Sequence, residues 1–199
     1  MASKDRILRL KEETRMNILD ASLNIVKEEG WPALSMRKIA DKIEYTAPII
    51  YEYFSNKEAI LMELTRKGFI ILANDMRAAK EKHRLPAKQL EAMWLAYWNF
   101  AFLEKELYQV MFGVDVNCCE LGEIMPEADA PFDIVTEVIK ELMAPNEPTG
   151  DEVCVKYYTF WSVIHGLISI NMVRRPTSDE ITHEVLKTAI SGIIRSIKA

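Results

Sequence analysis

Glycine and proline are scarce in this 199-residue chain, seven and eight respectively. Runs that alternate apolar and polar residues are scarce too, so strands joined by tight turns are not the expectation. Cysteine is nearly absent. Cys118, Cys119 and Cys154 are odd in number, and two are adjacent. That pattern builds no disulfide framework and suits a reducing cytoplasm. Three histidines and three cysteines lie scattered without ligand spacing, so no metal site is expected. No histidine-plus-carboxylate motif accompanies them, so neither an enzyme nor a cofactor is expected. The greasiest stretch, 160–170, is too short to span a bilayer and contains His165. The opening residues, with Lys4, Asp5 and Arg6, lack the apolar core of a signal peptide. These features make the cytoplasm the expected location. A net charge of −5 argues against a protein that coats nucleic acid non-specifically.

What is present points to helices. Apolar residues make up 49% and charged residues 28%, the balance of a folded soluble protein. Charge is uneven along the chain. Residues 1–85 carry a net of +3 and residues 86–199 a net of −8. A basic-leaning first part attached to an acidic remainder fits a nucleic-acid reader on a body that stays off phosphate. Residues 6–29 read as an amphipathic helix, with Ile18, Ala21, Ser22 and Ile25 at helical spacing and Gly30 at its end. Ser35 suits the cap of a short second helix bearing Met36, Ile39, Ala40 and Ile43. After a turn at Glu44 and Tyr45, Thr46 is expected to cap a third, with Pro48 tolerated in its first turn. Ser55 and Glu58 form a capping-box pattern opening a fourth helix to about residue 82.

Two short helices with a tight turn, behind a longer helix, form a helix-turn-helix unit. Its second helix fits the DNA major groove, where its first residues reach base edges. Ile39-Ala40, Tyr51-x-Tyr53-Phe54 and Lys57-Glu58 stand in register after the helix ending at Gly30. On these marks residues 10–65 resemble the TetR family of repressors. Trp161, His165 and Gly166 are similar to the Trp…His-Gly signature of one C-terminal subgroup. The resemblance implies an all-α fold of about nine helices. Residues 1–56 would be the DNA-binding domain and residues 57–199 a ligand-binding and dimerising body. It also implies that Thr46, Ala47, Pro48 and Ile49 face bases and nearby backbone, that Tyr51, Tyr53 and Lys57 touch phosphates, and that Ser35, Met36 and Arg37 meet DNA from the second helix. Glu44 stands where the family usually has Gly, and a positive φ there costs Glu about 1–2 kcal/mol. The apolar first turn, Ala47 to Ile49, shifts readout toward thymine methyls, Arg37 and DNA shape.

Beyond Pro86 aromatics accumulate. Residues 87–112 read as one or two helices and 113–130 as irregular. Further helices are expected at about 131–143, 151–173 and 179–198, the last two opened by Thr149-x-x-Glu152 and Thr177-x-x-Glu180. Trp94, Trp98, Phe112, Tyr157, Tyr158, Trp161 and His165 are the candidate pocket residues. His165 reads first as a hydrogen-bonded core or interface residue. Gly166 and Gly192 cost about 1 kcal/mol each relative to Ala, so a close helix approach is expected there. The helix at 151–173 is apolar nearly all round and should be buried on more than one side. A homodimer through 151–173 and 179–198 follows. The function implied is a repressor released from a near-palindromic DNA operator by a small-molecule effector. The alternatives are a helical ligand-binding or interaction protein without DNA binding, a metal sensor, and a small helical enzyme using Cys118, Cys119, Cys154 and His165.

Overall fold

The computed structural model describes residues 2–113, 125–144, 147–174 and 178–198. Among the described residues there are nine α-helices, two short 3-10 turns and no strand. The expected all-α class is what the structure has. The chain divides into two compact units, Met1–Lys67 with Glu106–Val116, and Gly68–Lys105 with Asn117–Ala199. Cys118, Cys119 and Thr177 lie outside the described residues.

The first unit holds α1 (Ala2–Glu29), α2 (Met36–Lys42), α3 (Ala47–Tyr53), the start of α4 (Lys57–Glu81) and most of α6 (Lys105–Phe112). Gly30 ends α1 at φ 83°, and its amide reaches the Val26 carbonyl at 2.8 Å. A 3-10 turn over Trp31–Ala33 follows. The Trp31 indole donates to Gln109 of α6 at 3.3 Å. Helices α2 and α3 have seven residues each, too short to persist alone. They exist because Ile39 and Ile50 are fully buried with Ile18, Ile60 and Leu64.

The caps follow the sequence in part. Ser35 accepts the Lys38 amide at 3.2 Å. Thr46 occupies the cap position of α3 but its side chain makes no cap bond. Pro48 has no amide to offer, and the Ile49 amide bonds the Thr46 carbonyl instead, at 3.0 Å. The expected Ser55–Glu58 box does not form either. Helix α4 begins at Lys57, and Asn56 accepts the Ala59 amide at 2.8 Å. Two adjacent residues could cap, and the asparagine does.

The second unit contains the rest of α4, α5 (Pro86–Leu103), α7 (Ala130–Met143), α8 (Gly150–Val173) and α9 (Asp179–Lys198). The aromatic stretch splits into α5 and α6 at Glu104, whose φ of −114° and ψ of 48° leave the helical region. Thr149 and Glu152 form the expected capping box, with bonds of 3.3 and 2.8 Å. The Thr149 amide and hydroxyl, both donating to the Glu152 carboxylate, hold that carboxyl below its ordinary range. Ser178, adjacent to the expected Thr177, meets the Ile181 amide at 3.4 Å. Helices α8 and α9 run antiparallel, joined by Lys156 to the Ser196 carbonyl at 2.9 Å and by Thr182 to Asn171 at 3.4 Å.

One expectation for α8 needs correction. The 160–170 stretch is part of a 24-residue helix that is long and apolar enough, by length and composition alone, to cross a membrane. The burial of α8 on more than one side is expected with a second copy in place, and the single chain leaves part of it open. Val155, Tyr158, Val163, Ile170 and Val173 are exposed, as are Ile181 and Val185 of α9. A Cβ added at Gly166 or Gly192 would meet nothing within 4 Å, so no close approach within the chain explains these glycines.

Glu44 does take the left-handed backbone, at φ 60°. Glu44→Gly should therefore leave stability unchanged or raise it by up to about 1 kcal/mol in chemical denaturation. A clear loss would show that the Glu44 side chain supports the turn.

Candidate functional site

The α2–turn–α3 segment presents one buried and one open side. Met36, Ile39, Ala40, Ile50 and Phe54 are buried. Ser35, Arg37, Thr46, Pro48 and Tyr51 are exposed, and Ala47, Ile49, Tyr53 and Lys57 are half-buried. Nine of the ten DNA-facing candidates thus keep accessible surface. Met36 is the correction. It is 8% exposed and belongs to the core, because the i, i+3, i+4 stripe that begins at Met36 is the buried stripe. Tyr45, exposed in the turn, was not singled out by the sequence reading. Its signal was its place beside the left-handed Glu44.

Ion pairs set the orientation of the segment. Lys38 pairs with Glu29, and Lys42 with Glu28 at 2.9 Å, which ties α2 to the end of α1. Arg15 of α1 bonds Glu63 at 2.8 Å, and its guanidinium lies 5.0 Å from the centre of the Phe54 ring. Each exposed pair is worth about 0.2–1 kcal/mol. Their larger effect is to occupy cations that would otherwise be free. Among the described residues Arg37 and Lys57 carry no such pair, which leaves them open to a phosphate or base edge.

In the second unit the aromatic candidates do not form one site. Trp94 is central and 1% exposed. It stacks on Phe160 with centroids 5.2 Å apart and contacts Tyr97 edge-on at 5.7 Å and Tyr157 at 6.1 Å. Phe132 meets Tyr157 at 4.7 Å. The Trp94 indole N–H is buried without a hydrogen-bond partner, a state that costs about 1–3 kcal/mol. Burial, and secondarily Tyr158, push the Tyr157 phenol far above its ordinary value. His165 takes its Nδ1 to within 3.0 Å of the Tyr97 hydroxyl and lies against Trp161 at 5.0 Å.

Three candidates lie elsewhere. Trp98, paired with Phe102 at 4.7 Å, lines a separate cleft of about 300 Å³ with Asn171, Asp179 and His183. Tyr158 is exposed on an open groove along α8, beside Cys154 and Val163. Phe112 pairs with Tyr108 at 4.9 Å in the first unit. Phe132, Phe160 and Tyr97 complete the Trp94 cluster but were not candidates. Tyr97 stands at helical spacing from Trp94 on α5, a local signal, whereas Phe132 and Phe160 come from distant helices that no local spacing reveals. No group of three or more metal-ligating side chains is found among the described residues.

Residues 18–64 match the family described as bacterial regulatory proteins, tetR family. Residues 90–190 match the tetracyclin repressor-like C-terminal domain. The chain belongs to the TetR family. One relative of this TetR-family chain is the HTH-type transcriptional activator FasR of Mycolicibacterium smegmatis, 24% identical over 132 residues. That match takes in 63% of the chain and 60% of FasR, so the chain spans under two thirds of that relative's length. A solved protein of unknown function from Rhodococcus sp. RHA1 shares the fold at a TM-score of 0.79 and 18% identity, over 93% of the chain and 95% of that structure. The transcriptional regulator FadR from Bacillus subtilis, solved in complex with stearoyl-CoA, superposes at 0.70 with 20% identity, over 89% and 98%. The match to the TetR C-terminal domain extends through Trp94, Tyr157, Phe160 and His165.

Burial also holds His165 below its ordinary value. Between the lowered value and about 6.5 the unfolded chain binds a proton that the folded chain refuses. The contribution is therefore intact above about pH 6.5 and lost as pH falls. The melting temperature should drop between pH 7 and 5.5, and His165→Gln should remove part of that drop. An identical pH profile for the variant would contradict a neutral, half-buried His165.

Proposed function

We propose that this TetR-family chain is a sequence-specific, DNA-binding transcription regulator that works as a cytoplasmic homodimer and releases DNA when its body binds a small molecule. The observation that carries the reading is the open side of the first unit. Arg37, Thr46, Pro48 and Tyr51 are exposed on two seven-residue helices whose opposite sides are fully buried. Thr46, Ala47, Pro48 and Ile49 open the recognition helix toward base edges. Ser35 and Arg37 approach from α2. Tyr51, Tyr53 and Lys57 take phosphates. For Met36 only the backbone is open to this role.

The functional division we propose is a reading head, 1–56, and a body, 57–199. A second copy covers the exposed apolar face of α8 and α9, where Val155, Val163, Ile170 and Val185 meet water in the single chain. Two heads then read half-sites of a near-palindrome about one helical turn (~34–36 Å) apart. The Trp94 cluster supplies the effector site. A buried, unpartnered N–H among aromatic faces suits an apolar molecule bearing one acceptor. FadR's complex makes a long-chain acyl thioester the first probe to try. An effector that prefers one arrangement of the body over another lowers operator affinity through linkage. Helix α4, continuous from Lys57 to Glu81 across both units, transmits the change.

Lys57→Ala should weaken binding to all sequences alike and lower the salt slope of binding by about one per contact removed. An unchanged slope in a fluorescence titration would refute the phosphate role. Val163→Asp should shift the protein to monomer in sedimentation velocity. A stable dimer of that variant would place the interface elsewhere.

A further inference from the structure

The head carries a segment that its own fold does not use. The family match begins at residue 18, and the buried core begins there too, with Ile18 and Leu19. Helix α1 nevertheless starts at Ala2, and residues 4–13 are all exposed. Over 4–11 the sequence holds Lys4, Arg6, Arg9 and Lys11 against the single acid Asp5. None of the four cations is tied up in an ion pair among the described residues.

Two ion pairs fix where this segment points. Arg15 pairs with Glu63 and Asp20 with Lys67, so α1 and the start of α4 run in the same sense. At 1.5 Å per residue, Lys4 lies about 16 Å along α1 from Arg15, toward the end of the head at which α4 begins. That is the end of the head that carries Phe54 and Lys57, where the proposed phosphate contacts are.

We infer that residues 4–11 form a basic helical arm that contacts DNA phosphates outside the segment read by α3. The inference rests on the DNA-binding reading above and extends it to a contact outside the helix-turn-helix. Charge and placement carry it. At 100° per residue, Lys4 and Lys11 share one face of the arm while Arg6 and Arg9 lie on the other side. A helix end with cations on two sides suits a position between rows of phosphates. A membrane-surface helix would separate its apolar and charged faces. Here Lys4 and Lys11 lie on the face of Ile7 and Leu8, which are 53% and 57% exposed.

The test uses full-length protein and a DNA fragment enriched by the wild-type chain from a random duplex pool. Binding is titrated against salt for wild type, for Lys4→Gln/Arg6→Gln/Arg9→Gln/Lys11→Gln, and for Arg6→Lys/Arg9→Lys. Neutralising the arm should lower the slope of log K against log salt by two or more, since each phosphate contact contributes about 0.9. The lysine variant should keep the wild-type slope. Trimming base pairs from the fragment's outer ends should weaken wild type and leave the neutralised variant unaffected. An unchanged slope in the neutralised variant, with wild-type binding intact, overturns the arm alone. Enrichment of no fragment by the wild type overturns the DNA reading, and the arm with it.

Discussion

The head depends on one constraint: a fully buried isoleucine from each of its first four helices. Ile18, Ile39, Ile50 and Ile60 have no solvent exposure. Helices of seven residues gain too few internal hydrogen bonds to offset the entropy of nucleation. Burial of about 1.5–3 kcal/mol per such side chain is what keeps α2 and α3 helical. The same burial decides which residues remain outside. Once Ile39 and Ile50 point inward, Arg37 and Tyr51 have to point outward. The left-handed backbone at Glu44 joins the two helices within this arrangement. Its strain is maintained by packing on both sides of the turn.

The head was legible in the sequence because its signals are local. Apolar spacing fixed the inner face, Ser35 the start of α2, and Pro48 the first turn of α3. The misreadings came where two local signals competed. Ser55 and Asn56 could both cap α4, and the sequence does not say which helix register wins. Met36 reads as a contact residue by its position in the motif and as core by its place in the stripe, and the stripe prevails. Thr46 lost its side-chain bond because a proline follows two residues later. Helix α1 starts at Ala2, four residues before the start read at residue 6, since an exposed extension has no inner face to announce it.

The body was legible as helices but not as a site. The helix boundaries came from caps and breakers close in sequence. The partners of Trp94 come from α5 and α8, some sixty residues apart. No periodicity predicts that Phe160 and not Trp161 stacks on it. The apolar character of α8 is plain in the sequence, but which of its residues face the chain's own core is not. In the single chain much of that surface meets water, together with the open space at Gly166 and Gly192. Under the proposed function a second copy covers both.

The central claim is that the open side of α2 and α3 reads DNA through two symmetric heads. Hydroxyl-radical footprinting on a fragment enriched by the full-length protein tests it most directly. The account predicts two protected segments related by a near-palindrome, with centres about one helical turn (~34–36 Å) apart or slightly more. A single asymmetric footprint, or protection without any shared sequence among enriched fragments, would contradict it.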